Sequence, residues 1–178
     1  LDREGLATAI AYIPEVVRPW VLDKFSSYKS IRDLYVDYTF PVRMGKGRTY
    51  SAVVGRLAAR GTHIAVKKLK GIPVYRGEHS SKTITTIKQS AAALENGDKL
   101  LVFPDVDYAD KSAGDEKIYK GFGVVDKMFR RKTGKKVAFV PVYIGDDVVV
   151  LHKPVYFDGT PDEFYAAVAH GMYHPEEM

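Results

Sequence analysis

Cysteine is absent from the 178 residues. That excludes disulfide bridges and thiolate metal sites. Long apolar runs are absent too: none approaches the roughly 18–20 residues that a spanning helix needs, so this stretch is not expected to cross a bilayer. There is no secretory signal pattern, internal repeat, low-complexity tract or linker-like stretch. No His, Asp or Glu grouping has ligand spacing, so no metal site is expected. An initiating methionine is missing as well. The numbered sequence opens on Leu1, and the expectation is of a start inside a longer protein.

What remains is ordinary globular material, 46% hydrophobic and 28% charged, of a length that fits one domain over 1–178 with a real core. The net charge is +5, from 27 Lys and Arg against 22 Asp and Glu. The excess is clustered at Arg43, Lys46 and Arg48, at Lys67, Lys68 and Lys70, and at Lys127, Arg130, Arg131, Lys132, Lys135 and Lys136. Solvated helix faces and helix C-termini carry such runs for structural reasons. The functional readings are an anionic lipid surface, a phosphorylated substrate or nucleic acid.

The periodicity predicts alternating strands and helices. Residues 5–13 read as a short helix stopped at Pro14, and Arg18-Pro19-Trp20 breaks the pattern. Residues 48–60 place Tyr50, Val53, Val54 and Leu57 at helical spacing, with Gly61 as the stop and His63–Val66 as a short strand. The clearest unit follows. Gly71–Tyr75 reads as a strand, residues 83–95 as a helix with Ile84, Ile87, Ala91 and Leu94 on one face, and Lys99–Phe103 as a buried strand. Strand, helix, strand at this spacing predicts a parallel pair with a right-handed crossover. A helix over about 121–132 carries Val124, Val125, Met128 and Phe129 and ends near Gly134. Strands are expected at Val137–Ile144, Val148–Leu151 and Pro154–Phe157. The last helix opens on a capping box, with Thr160 as cap, Pro161 at the first position and Glu163 three residues on, and is expected to run to about His170. The order implies an α/β fold, a single domain with a mixed, mainly parallel sheet flanked by helices.

In open parallel sheets ligands bind beyond the carboxyl ends of the strands. One predicted strand ends in Tyr75-Arg76-Gly77, the next in Phe103-Pro104-Asp105, and a third contains Val140-Pro141-Val142. Arg76 is the natural phosphate ligand, since a guanidinium binds anionic oxygens in bidentate fashion. Asp105 on the next strand is expected to converge with it on one cleft. Singly, a surface arginine after a strand or an acid capping a turn explains either residue as well.

The ordered set is more specific. Gly71-Ile72-Pro73-Val74-Tyr75-Arg76-Gly77, a helix, Leu101-Val102-Phe103-Pro104-Asp105, then Lys120-Gly121-Phe122, then Val140-Pro141-Val142 resembles, in order and spacing, the lysophosphatidic acid acyltransferases of the glycerophospholipid acyltransferase family. The likeness covers about residues 45–150. It implies the family's α/β fold and an O-acyltransferase. Such an enzyme moves a fatty acyl group from a thioester of CoA or acyl carrier protein, as co-substrate without a cofactor, to a hydroxyl of a lysophospholipid or glycerol phosphate. It implies that Tyr75, Arg76, Gly77, Phe103, Pro104, Asp105, Lys120, Gly121 and Pro141 line the substrate site. It also implies a His-x-x-x-x-Asp block at the start of the core, with the histidine as general base. That block is absent. None of His63, His79, His152, His170 and His174 has an aspartate five residues later, and none is given a catalytic role. By position the block straddles or precedes Leu1, which makes Asp2 and Glu4 the candidates for its remnant. The third block also departs from the family's Phe-Pro-Glu-Gly, having Asp105 and Val106.

The resemblance further implies a peripheral protein on the cytoplasmic face of a membrane, with an anionic bilayer as partner. The basic clusters would do the docking, with Trp20 and Phe25 as candidate anchors, although core burial explains Trp20 equally. Two other readings remain open: an inactive lipid- or acyl-binding member of the same fold, and a basic nucleic-acid-binding module, which no recognisable motif supports. Acyl chain length, donor carrier, head group and oligomeric state are not readable from the sequence.

Overall fold

The computed structural model describes residues 17–75, 81–104, 118–145 and 148–175. The chain divides into two compact units. One is Val17–Gln89 with Lys99–Leu101; the other includes Ser90–Asp98 and Val102–Met178.

The first unit is built on a three-stranded parallel sheet. Strand β1 is Val17–Leu22, a segment the sequence reading takes for a break because of Pro19. The register shows why proline is tolerated there. Val17, Arg18 and Pro19 pair with Lys99, Leu100 and Leu101, whereas Trp20, Val21 and Leu22 pair with Ile72, Pro73 and Val74. Pro19 sits where β1 changes partner, so its missing N–H interrupts neither ladder in mid-run. Val17, Trp20 and Val21 are buried. Trp20 is therefore core, and Phe25 packs against the neighbouring cluster of Ile31, Tyr35, Phe40 and Ala59; neither stands out as a membrane anchor.

That cluster belongs to helix α1 (Tyr28–Asp33), a π-helical stretch Leu34–Arg43, and helix α2 (Arg48–Lys68). Ser27 caps α1, its hydroxyl accepting the Ser30 N–H at 3.2 Å. Tyr35 and Phe40 meet edge to face at 6.0 Å, and the Tyr35 hydroxyl reaches Thr62 Oγ1 at 3.1 Å. Helix α2 buries small residues, Ser51, Gly55 and Ala59. Gly55 is needed: a Cβ there would lie 2.9 Å from Val36 Cγ2. The helix passes through Gly61 and absorbs the expected strand at His63–Val66, because propensity at single positions yields to the packing of a long helix.

Strand β2 (Ile72–Val74) and strand β3 (Lys99–Leu101) flank β1, both parallel to it, with helix α3 (Ser81–Glu95) between them in sequence. The strand–helix–strand expectation holds, with the correction that β1 lies between the two strands. The Thr86 hydroxyl donates to Pro73 O at 2.6 Å. Ile87 and Ala91 are buried as expected, but Ile84 is exposed. Gly97, at φ 83°, follows the helix end.

The second unit holds a 3₁₀ turn Lys120–Gly123, helix α4 (Val124–Thr133), the antiparallel pair β4 (Val142–Ile144) and β5 (Val149–Leu151), and helix α5 (Pro161–Tyr173). Among the described residues the strands thus form a parallel sheet and a separate antiparallel pair, in place of one mixed sheet. The expected strand Pro154–Phe157 is reduced to a single bridge between Phe139 and Val155. The core is aromatic. Phe164 lies 4.6 Å from Phe157, 4.9 Å from Phe139 and 5.0 Å from Tyr165, ring centre to ring centre. The capping box is present: Thr160 Oγ1 accepts the Glu163 N–H at 3.3 Å, and Glu163 accepts the Thr160 N–H at 2.9 Å.

Candidate functional site

All three strands of the parallel sheet run the same way, so their carboxyl ends lie along one edge. The tips of β2 and β3 are not neighbours on that edge. Val74 stands level with Leu22 and Leu101 with Pro19, a three-residue stagger across an intervening strand, or about 10 Å along the strand direction. Beyond β2, Tyr75 is half-buried and carries the Lys82 ammonium 5.3 Å from its ring centre. Arg76 and Gly77 lie outside the described residues, as do Asp105, Val106, Asp2 and Glu4.

In the second unit two of the predicted blocks are brought together. The Tyr119 N–H donates to Pro104 O at 2.6 Å, joining the Phe103-Pro104 block to the residue just before Lys120-Gly121. Pro104 is buried and Phe103 half-buried. Lys120 is less available than expected: its ammonium pairs with Asp162 at 3.0 Å and lies 5.4 Å from the Tyr165 ring. Its carbonyl accepts the Tyr165 hydroxyl, and burial pushes that phenol's pKa up. Gly121 has a packing reason, since a Cβ would run into the Tyr119 ring. Pro141 does not join the parallel sheet. It is buried just before β4, and its carbonyl accepts the His152 N–H at 3.0 Å.

The basic run 127–136 is largely a structural feature. Arg130 pairs with Asp126 at 2.7 Å, Lys132 with Glu95 at 3.0 Å and Lys136 with Asp158 at 2.7 Å. Asp126 is a residue the sequence reading missed. It is 1% exposed, and its other oxygen accepts the Val137 N–H at 2.8 Å. Arg130 also donates to Phe157 O at 3.1 Å. The available signal was an acid four residues before an arginine, beside Val125, on a helix otherwise rich in cations. A shallow groove of about 430 Å³ runs past Asp126, Lys127, Arg130, Arg131 and Phe157.

Among the described residues, no group of three or more His, Asp or Glu is placed to hold a metal, and no helix is long and apolar enough to cross a membrane. No protein-family model, curated protein or solved structure matches the chain significantly.

Proposed function

We propose that this chain is the body of a membrane-surface O-acyltransferase of glycerolipid type, with the glycerol-phosphate acyltransferase fold. The supporting observation is the meeting of Pro104 with Tyr119-Lys120-Gly121 through a backbone hydrogen bond, which closes the ends of the segment bearing Asp105. The parallel placement of β2 and β3 adds to it, since it sets the carboxyl ends of both strands toward the edge of the sheet at which open parallel sheets bind ligands.

In this reading the acceptor's phosphate is held by Arg76 and nearby backbone N–H groups, and Asp105 accepts a hydrogen bond from an acceptor hydroxyl, because a carboxylate repels the phosphate. The histidine that such enzymes use as general base takes the proton of the attacking hydroxyl, with Asp2 or Glu4 orienting the imidazole. The alkoxide oxygen adds to the thioester carbonyl. The tetrahedral intermediate then collapses, breaking the C–S bond and forming the ester, and the imidazolium returns its proton to the leaving thiolate, which departs as the thiol. No acyl-enzyme is required.

The test is acyl transfer by the full-length protein from CoA and carrier-protein thioesters to lysophosphatidate, other lysophospholipids and glycerol phosphate, read as thiol release and ester formation. Arg76→Ala is expected to lower kcat/KM for phosphorylated acceptors by at least about tenfold, the worth of a charge-assisted hydrogen bond. Silence across all donor and acceptor pairs refutes the reading. Lipid or acyl-chain binding without turnover would instead indicate an inactive member of the same fold.

A further inference from the structure

Helix α2 is amphipathic in the wrong sense for a core helix. Its buried side carries Ser51, Gly55 and Ala59. Its large apolar residues face outward, with Tyr50 48%, Val53 55%, Leu57 66% and Ile64 49% exposed. At 100° per residue these four fall within about 60° of one another, on the side opposite Gly55. They form one apolar stripe along a helix of 21 residues, about 31 Å long at the usual rise.

The charge on the same helix is one-sided. Arg48, Arg56, Arg60, Lys67 and Lys68 are all within it, and it contains no Asp or Glu. The whole chain has 27 Lys and Arg against 22 Asp and Glu, so removing these five cations leaves the remainder balanced. The five cations of α2 are thus equal in number to the net charge of the chain, and no acid within the helix opposes them. Arg60 and Lys67 border the stripe on one side and Lys68 on the other, by the same angular reckoning. The α4 run differs, since acids of its own unit hold half of its cations.

We infer that the outer face of α2 docks on an anionic lipid bilayer, lying flat in the interface with Val53, Leu57 and Ile64 among the acyl chains and the cations at the phosphates. An apolar stripe edged by Lys and Arg is the pattern of an interfacial helix. The charge complementarity selects this occupant. A second copy would bring two purely cationic helices together, and nucleic acid would leave the apolar stripe unused. The inference deepens, and rests on, the membrane-surface part of the proposed function.

The test is co-sedimentation of the full chain with phosphatidylcholine vesicles and with vesicles containing about one-third phosphatidylglycerol, at low and high salt. Binding is expected on the anionic vesicles and weakens with salt. Arg56→Glu/Arg60→Glu is expected to reduce partitioning by tenfold or more, given about fivefold for each cation removed. Leu57→Ser/Ile64→Ser should reduce it by about tenfold without changing the salt slope. Lys88→Glu, the same charge reversal at one exposed position of α3, leaves binding within about twofold of that of the unaltered chain. Indifference of vesicle binding to the α2 variants overturns the inference, and so does a dimer that Leu57→Ser/Ile64→Ser dissociates. Transfer to water-soluble glycerol phosphate separates the two claims. Transfer with α2-independent vesicle binding removes the docking face alone, whereas α2-dependent binding without any transfer removes the acyltransferase alone.

Discussion

Helices α2 and α5 both carry large apolar side chains and use them in opposite ways. In α5 the large residues are inside: Phe164, Tyr165 and Val168 are buried, and Pro161, Asp162 and Glu163 meet solvent. In α2 small residues are inside and Val53, Leu57 and Ile64 are outside. Helix α5 is held by bulk, a ring stack with its hydrophobic area removed from water. Helix α2 is held by closeness, its glycine face letting the π-helical stretch approach within van der Waals range at Val36. An apolar stripe in the sequence therefore identifies a helix without saying which side of it is the core.

The contrast is open to direct attack. Phe164→Ala is expected to cost about 4 kcal/mol in urea-denaturation stability, because a ring 2% exposed and surrounded by four other aromatic rings leaves a cavity. A loss below about 1 kcal/mol would mean that the ring cluster closes up around the gap and that bulk is not what holds α5. Gly55→Val attacks α2 from the other direction. The first added carbon already lies 2.9 Å from Val36 Cγ2 and 3.3 Å from Val36 N, so overpacking should cost about 2 kcal/mol. A neutral or stabilising outcome would show that the α2 contact is loose.

What the sequence revealed follows the same division. The capping box of α5, the helix end at Gly97 and the β2–α3–β3 unit were legible because each rests on local chemistry: a hydroxyl three residues before a glutamate, a glycine able to take positive φ, and a strand-to-strand distance that one helix fills. Strand β1 was hidden because Pro19 reads as a breaker unless the change of partner at that residue is known, and pairing between positions fifty or more apart is not a local property. The packed face of α2 was not legible, because helical spacing of Tyr50, Val53, Val54 and Leu57 does not say which side is buried, and Gly55 and Ala59 gave no sign that they were the packed side. Asp126 was invisible because an acid among six cations normally belongs to solvent. Of the candidate site, the joining of Phe103-Pro104 to Lys120-Gly121 is seen, while Arg76, Asp105, Asp2 and Glu4 fall outside the described residues.

Smaller effects refine the comparison at the helix ends. Thr160→Ala is expected to cost about 1 kcal/mol, the usual worth of a side-chain cap. The box also has a pH signature. The hydrogen bond from the Thr160 backbone, and after it that from the Thr160 side chain, lowers the Glu163 pKa. A lowered folded-state pKa means that this stabilisation is present above the unfolded value and is lost as pH falls through the folded one. Glu163→Gln should therefore flatten the acid limb of the stability profile, and Thr160→Ala should flatten it only in part, because the backbone N–H remains. An unchanged acid limb in Glu163→Gln would show that the box adds no titrating contribution. Helix α2 begins at Gly47 without a side-chain cap and offers no such handle.

The smallest expected effect is the most discriminating. Leu57→Ala removes as large an aliphatic side chain as α2 possesses, from a position 66% exposed. If α2 is arranged as described, the chemical truncation that is severe at Phe164 should here change folding stability by no more than about 0.5 kcal/mol, since alanine is as good a helix former and no cavity results. A loss of about 2 kcal/mol or more, the range of a buried leucine, would place Leu57 inside the fold in solution and remove the outward stripe altogether. A near-zero change leaves a leucine that contributes nothing to the folded monomer, on a helix whose charged residues are all cations, and keeps the outward stripe open for the docking inferred above.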